Sequence, residues 1–239
     1  MNTIGAYHTA LATLPFADPI AMIGPGRALI LAPHPDDESL GCGGLIATLC
    51  AQGKPPLVVI MTDGAGSHPH TPTFTAERLI HLRRNEARHA TTLLGLPGTN
   101  LIFLDHPDAA LPADGPALAT ITALIKHEHC TAVFAPDPHD PHCDHVATAS
   151  LATSATTSRA THLWHYPVWT WMRDPDEPIP PTTPTGWRLD ITAHTSQKQA
   201  AIAAHRSQHG SIPDLPSGFS LPPTLLARFT QSFEVFTAP

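Results

Sequence analysis

The sequence predicts an α/β fold: a mainly parallel sheet flanked by helices, ordered 3-2-1-4-5, with a C-terminal extension. Two observations carry that expectation. Short continuous apolar runs alternate with helical patterns over residues 28–157, the rhythm of right-handed βαβ units. Two segments rich in His and Asp follow the first and fourth runs, at the strand ends where such sheets collect their ligands.

Residues 1–26 carry scattered apolar residues with several Gly and Pro, and read as a loose or partly helical lead-in. Ala28-Leu29-Ile30-Leu31-Ala32 is the first apolar run and fits a strand buried on both faces. Residues 57–61, 101–104 and 132–135 are the second, third and fourth, and a fifth covers 163–169. Helical patterns lie between them: one following Gly44, one over 75–94 stopped by Gly95 and Pro97, one over 117–126, and one over 146–157. Pro175, Pro178, Pro180, Pro181 and Pro184 make 174–186 a loop that cannot be helical. A last helix is expected over 194–207, and the tail over 210–239 ends in an edge strand at 233–236. The whole chain, 1–239, reads as one Rossmann-like domain without internal repeats.

A chain of 239 residues can bury a sizeable core. Its 13 Lys and Arg stand against 20 Asp and Glu, a net charge of −7. That balance offers no general attraction for phosphate backbones or anionic membrane surfaces, so nucleic acid is not an expected partner. No stretch reaches the roughly 18 apolar residues of a membrane span. No Lys or Arg precedes Arg27, so the start lacks the basic region of an export signal, and a cytoplasmic location is expected. Cys42, Cys50, Cys130 and Cys143 form no C-x-x-C pair and read as reduced thiols.

The chemistry concentrates in Pro33-His34-Pro35-Asp36-Asp37-Glu38 and Asp140-Pro141-His142-Cys143-Asp144-His145. With strands 1 and 4 adjacent, both segments meet at the carboxyl-end crevice. Imidazoles and a carboxylate are standard ligands for Zn²⁺, and three protein ligands leave a position for water. Two consecutive Asp point in different directions, so one can bind metal while the other faces that water. The competing reading is structural: Asp36, Asp37 and Glu38 cap a helix, and His142 and His145 are surface residues in a chain with 17 histidines. Placement of both segments at strand ends favours the metal site.

The run from Leu31 through Pro33-His34-Pro35-Asp36-Asp37-Glu38 to Gly43-Gly44 closely resembles the first signature of the PIG-L/LmbE-like deacetylases. Pro141-His142-Cys143-Asp144-His145 resembles their second. Arg83-Arg84-Asn85-Glu86 resembles an intervening helix, Asp108 a position after the third strand, and Lys198 through His205-Arg206-Ser207-Gln208 a late helix. The resemblance implies a metal-dependent amidase that removes acetyl from N-acetylglucosamine-type groups. It implies His34, Asp37 and His145 as metal ligands and Asp36 as general base on metal-activated water. His142 would stabilise the oxyanion or assist the leaving amine, and Asp144 would orient an imidazole. Asp108 and Arg83 are candidates for binding substrate.

Three features also read without the family. Arg83 and Glu86 fall in the middle of the apolar face formed by Leu79, Leu82, Ala90 and Leu93. They are either a buried structural pair or, for Arg83, a reach into the crevice toward substrate hydroxyls. Gly41, Gly43 and Gly44 do not have dinucleotide-loop spacing and suit close helix packing. Trp164, Tyr166, Trp169 and Trp171 are core and edge aromatics of a strand, or a wall on which a sugar ring stacks.

The expected function is hydrolysis of a small N-acyl amide, an N-acetylated amino sugar in particular, with Zn²⁺ as cofactor and Fe²⁺ fitting the same ligands. Two alternatives stand beside it. His34-Pro35-Asp36 with distant His145 also reads as the H-x-D…H triad of a non-haem Fe(II) oxygenase, although those sites usually sit in all-β folds. The other is a non-catalytic sugar-binding module that keeps its metal for structure.

Overall fold

The structure, a computed structural model, describes residues 3–72, 74–157, 160–181, 183–210, 212 and 218–239. Five strands form the parallel part of the sheet: β1 (Arg27–Ala32), β2 (Leu57–Thr62), β3 (Leu101–His106), β4 (Cys130–Pro136) and β5 (His162–Tyr166). Two more, β6 (Gly186–Asp190) and β7 (Phe233–Thr237), complete the order β3-β2-β1-β4-β5-β7-β6. The expected order 3-2-1-4-5 is present, with β7 antiparallel to both β5 and β6.

The continuous apolar runs arise because helices cover both faces of the sheet. Along β1, Ala28 and Ile30 enter one core while Leu29 and Leu31 enter the other; in β4, Ala132 and Phe134 oppose Val133 and Ala135 in the same way. The first core is closed by α3 (Asp37–Ala51), α4 (Ala76–Leu93) and α7 (Thr195–Ala204), which contribute Leu45, Ala90 and Ile202. The second is closed by α5 (Gly115–His127) and α6 (Cys143–Thr156), through Ile121 and Leu151. Gly41 and Gly44 let α3 approach closely. A Cβ on Gly41 would stand 2.1 Å from the Tyr166 ring, and one on Gly44 would stand 2.4 Å from Ile191.

The sequence reading differs from the structure at its polar segments and at the sheet edge. Helix α3 begins at Asp37 and α6 at Cys143, earlier than apolar periodicity places them, because the ends of the two His/Asp segments, Asp37-Glu38 and Cys143-Asp144-His145, open the helices. Strand β5 stops at Tyr166, before Pro167, and Trp169–Met172 is a 3₁₀ turn. The strand in the tail is not an edge: β7 lies inside β6, whose own outer side pairs with the lead-in through Ala17 N–H to Arg188 O (3.0 Å) and Arg188 N–H to Pro15 O (2.7 Å). The lead-in contains two helices, α1 (Ile4–Leu11) and α2 (Pro19–Ile23), started by the Thr3 and Asp18 side-chain caps. Ile4, Tyr7, Leu11 and Leu14 pack with Ile179 and Val235. Position 182 of the proline-rich loop and positions 211 and 213–217 of the tail lie outside the described residues. Among the described residues, no helix is long and apolar enough to cross a membrane.

Candidate metal centre

Strands β1 and β4 pair side by side, with Ile30 opposite Phe134, and each ends in a turn leading to a helix N-terminus. The two His/Asp segments therefore meet where the sheet order reverses. The Asp37 Oδ2 atom is the junction. It lies 3.2 Å from His34 Nδ1 and 3.1 Å from His145 Nε2, and it accepts the His34 backbone N–H at 2.9 Å.

The two separations at Asp37 are of the size that donors sharing a metal ion show. Donors held tetrahedrally at Zn–N and Zn–O distances of about 2.0–2.1 Å stand about 3.3 Å apart, and the two separations at Asp37 are 3.2 and 3.1 Å. His145 is fully buried, and neither of its ring nitrogens has an aligned hydrogen-bond partner among the described residues. A buried imidazole nitrogen in that position suits coordination. Among the described residues two groups of side chains could hold an ion there, His34, His142 and His145, and His34, Asp108, His142 and Asp144; the expected ligand Asp37 is in neither, though it touches His34 and His145.

Carboxylates stand behind His34 and His145. His34 Nε2 lies 3.1 Å from Asp144 Oδ2 and 3.4 Å from Asp108 Oδ1. Asp144 is itself fixed by the N–H groups of Ala109 (2.7 Å) and Leu111 (3.1 Å), and Asp108 accepts the Gly66 N–H at 2.9 Å. His145 Nδ1 lies 3.3 Å from Asp140 Oδ2, which also accepts the Trp169 N–H at 2.7 Å. Such outer carboxylates fix ring orientation and tautomer at metal sites. Asp140 lies inside the second segment, but no spacing rule in the sequence marks it as a partner of His145.

Asp36 occupies the residue before α3 at φ 150°, a region non-glycine residues rarely adopt. Its Oδ2 lies 3.3 Å from Arg83 Nη2. Arg83 also donates to Pro35 O at 2.8 Å and Gly64 O at 2.9 Å, tying α4 to the turns after β1 and β2. Among the described residues Arg83 and Glu86 form no ion pair. Glu86 instead accepts the Ser207 N–H (2.8 Å) and hydroxyl (2.6 Å). The late helix braces the site in two more places: His205 Nε2 lies 3.0 Å from Glu38 Oε1, and Lys198 donates to Glu234 at 2.6 Å. Glu234 also accepts the N–H groups of Gly44 and Leu45 from α3.

The charges divide by environment. Burial raises the Asp36 pKa to about 6, with the Arg83 guanidinium opposing that shift and the Asp37 charge adding to it. Burial also acts to raise Asp37, but the His145 and His34 imidazoles outweigh it and hold this carboxyl well below its usual range. Burial lowers His145, but Asp37 and Asp140 outweigh it and bring its pKa to about 9. His142 is lowered, by burial first and then by the neighbouring imidazoles.

His34, Asp36, Asp37, Arg83, Asp108 and His142 all reach one cavity of about 490 Å³. Asp144 and His145 lie beneath its floor, buried. Of the four clustered aromatics, Trp164 and Tyr166 are core residues, Trp171 packs beside the core with its ring 4.9 Å from that of His8, and only Trp169 lines the cavity. Gln208, Phe219 and Leu221 line it as well, and no pattern in the sequence singles out the last two.

Comparison with known proteins follows this geometry. A diacetylchitobiose deacetylase from Thermococcus kodakarensis is 31% identical over 113 residues, covering 47% of this chain and 41% of that protein. The match thus spans about two fifths of that relative's length. The solved N,N'-diacetylchitobiose deacetylase of Pyrococcus horikoshii superposes with a TM-score of 0.65 at 25% identity, over 87% of this chain and 79% of that one. A conserved protein of Thermus thermophilus superposes with a TM-score of 0.67 at 26% identity, over 90% and 95%. The description of the PIG-L family (GlcNAc-PI de-N-acetylase) matches residues 29–156, which is more than half of the chain and contains both His/Asp segments. The chain belongs to the PIG-L family.

Proposed function

We propose that this protein is a metal-dependent N-deacetylase that hydrolyses an N-acetylated amino sugar. The observation that carries the reading is the Asp37 carboxylate shared by His34 and His145 beside a second, separately held carboxylate, Asp36, on one cavity. His34, Asp37 and His145 would hold the ion, Zn²⁺ in our reading, with Fe²⁺ fitting the same donors. A bound divalent ion supplies a Lewis acid that acidifies water and polarises the acyl carbonyl.

The remaining work falls to the chain's own groups. Asp36 takes a proton from the attacking water, a task its raised pKa suits near neutral pH. The water oxygen bonds to the carbonyl carbon, and His142 donates to the developing oxyanion. Asp36 then returns that proton to the nitrogen, directly or through His142, as the C–N bond breaks, releasing acetate and the free amine. Asp144 holds His34, and Asp108 and Arg83 meet the substrate's polar groups from the cavity wall. Residues 1–239 act as one catalytic unit in this reading, because Glu234 of the tail reaches α3. The four free cysteines favour work in the cytoplasm.

The test is release of free amine and acetate from a panel of N-acetyl sugars, with metal analysis of the same sample. Release without oxygen supports the hydrolase and excludes the oxygenase, whose usual all-β setting is already unlike this sheet. A panel with no release by metal-loaded protein overturns the proposal and leaves the sugar-binding module.

A further inference from the structure

The cavity above the His/Asp cluster has unlike walls. One is the polar wall already described. The other is formed by Leu40, Trp169, Phe219 and Leu221. These four belong together: Leu40 and Leu221 are part of the core on which Trp169 and Phe219 pack, and the two aromatic rings meet edge to face at 5.8 Å. The wall is fastened by backbone. Trp169 N–H donates to Asp140 at 2.7 Å, Phe219 N–H to Ser67 O at 3.2 Å, and Leu221 N–H to Gln208 O at 2.8 Å.

The C–H face of a sugar can stack on one ring, but the hydroxyls at its edge find no partner among four apolar side chains. The charges of the cavity narrow the choice further. Asp36, Asp37 and Asp108 line it, and among the described lining residues Arg83 is the one guanidinium or ammonium group. Its terminal nitrogens donate to Pro35 O, Gly64 O and Asp36, so most of its charge is already met within the chain. An anionic group attached to the sugar would meet three carboxylates against one guanidinium that already serves Asp36.

We propose that the sugar taken by this site carries an uncharged, apolar group of about ring size, and that this group packs against Trp169 and Phe219. The inference rests on the deacetylase reading and deepens it, and Phe219 becomes a specificity-determining residue. The comparison to make is of three β-glycosides of N-acetylglucosamine: methyl, phenyl and carboxymethyl. The metal-loaded wild type should show the highest kcat/KM for the phenyl glycoside, chiefly through KM. Phe219→Ala should reduce the phenyl-to-methyl ratio by about tenfold, Trp169→Phe should reduce it less, and Phe219→Tyr should keep it. Unfolding curves would verify that each variant is folded.

A wild type that prefers the carboxymethyl glycoside, or treats phenyl and methyl alike, overturns the inference. So does an equal loss on all three substrates in Phe219→Ala, which would make the wall part of sugar binding itself. If no glycoside is deacetylated, the functional reading fails separately, and the wall is tested by binding alone. Tighter quenching of tryptophan fluorescence by phenyl than by methyl β-glucoside, lost in Phe219→Ala, supports the wall, and equal quenching rejects it.

Discussion

Asp140 stands behind His145: its Oδ2 lies 3.3 Å from Nδ1 of that ring and accepts the Trp169 N–H at 2.7 Å. One buried carboxylate thus stands within ion-pair distance of the His145 imidazole and anchors Trp169 of the cavity wall. Asp140→Asn keeps the shape and removes the charge. Metal affinity should fall about 10–100-fold, read by competition with a chelator of known affinity. Unchanged affinity would show that His145 is held by packing alone.

Asp36 and Asp37 are neighbours in sequence with opposite environments, and substitution should separate them. Asp36→Asn should retain metal and lose turnover by about 10²–10⁴-fold or more. His145→Ala and Asp37→Ala should lose metal. Metal content and acetate release measured on the same preparations decide the matter. Retained turnover in Asp36→Asn would remove it as general base.

Lys198 and Glu234 are a buried pair at 2.6 Å, and Glu234 also holds two N–H groups of α3. Lys198→Met would leave the carboxylate buried without its cation. The expected loss is about 3–5 kcal/mol, measured by urea unfolding. A loss below about 1 kcal/mol would mean that the two α3 amides suffice to hold the charge.

His139 Nδ1 lies 2.9 Å from Asp137 Oδ1, whose other oxygen accepts the Tyr7 hydroxyl at 2.7 Å. The bond to Asp137 raises the His139 pKa, and burial opposes the rise without cancelling it. A raised folded-state pKa gives stability that is complete below the unfolded value of about 6.5 and is lost as pH climbs through the folded value. The gap in Tm between wild type and His139→Gln should therefore be widest at about pH 5–6 and narrow toward pH 9. A gap independent of pH would show that the ring contributes only packing.

The first five strands are legible in the sequence because both faces of β1 and β4 are covered, which leaves continuous runs such as Ala28-Leu29-Ile30-Leu31-Ala32. Strand β6 is not legible: Gly186-Trp187-Arg188-Leu189-Asp190 is half-exposed, and its partner β7 lies more than forty residues further along the chain. The helix starts at Asp37 and Cys143 escape apolar periodicity because their first turns are polar. The residues gathered about Asp37 follow from topology, since adjacent β1 and β4 deliver both segments to one crevice. Asp140, Phe219 and Leu221 do not, because what they touch is decided by tertiary contacts between loops.

Glu234 also sets an order of events during synthesis. A ribosome makes both His/Asp segments long before residue 234 leaves it, so the first two-thirds of the nascent chain carries α3 without the carboxylate that grips its Gly44 and Leu45 amides. Domains mature as units, so α3 gains this brace only once β7 has been made. A chain arrested before β7 would hold every candidate metal ligand and still lack the brace on the middle of α3.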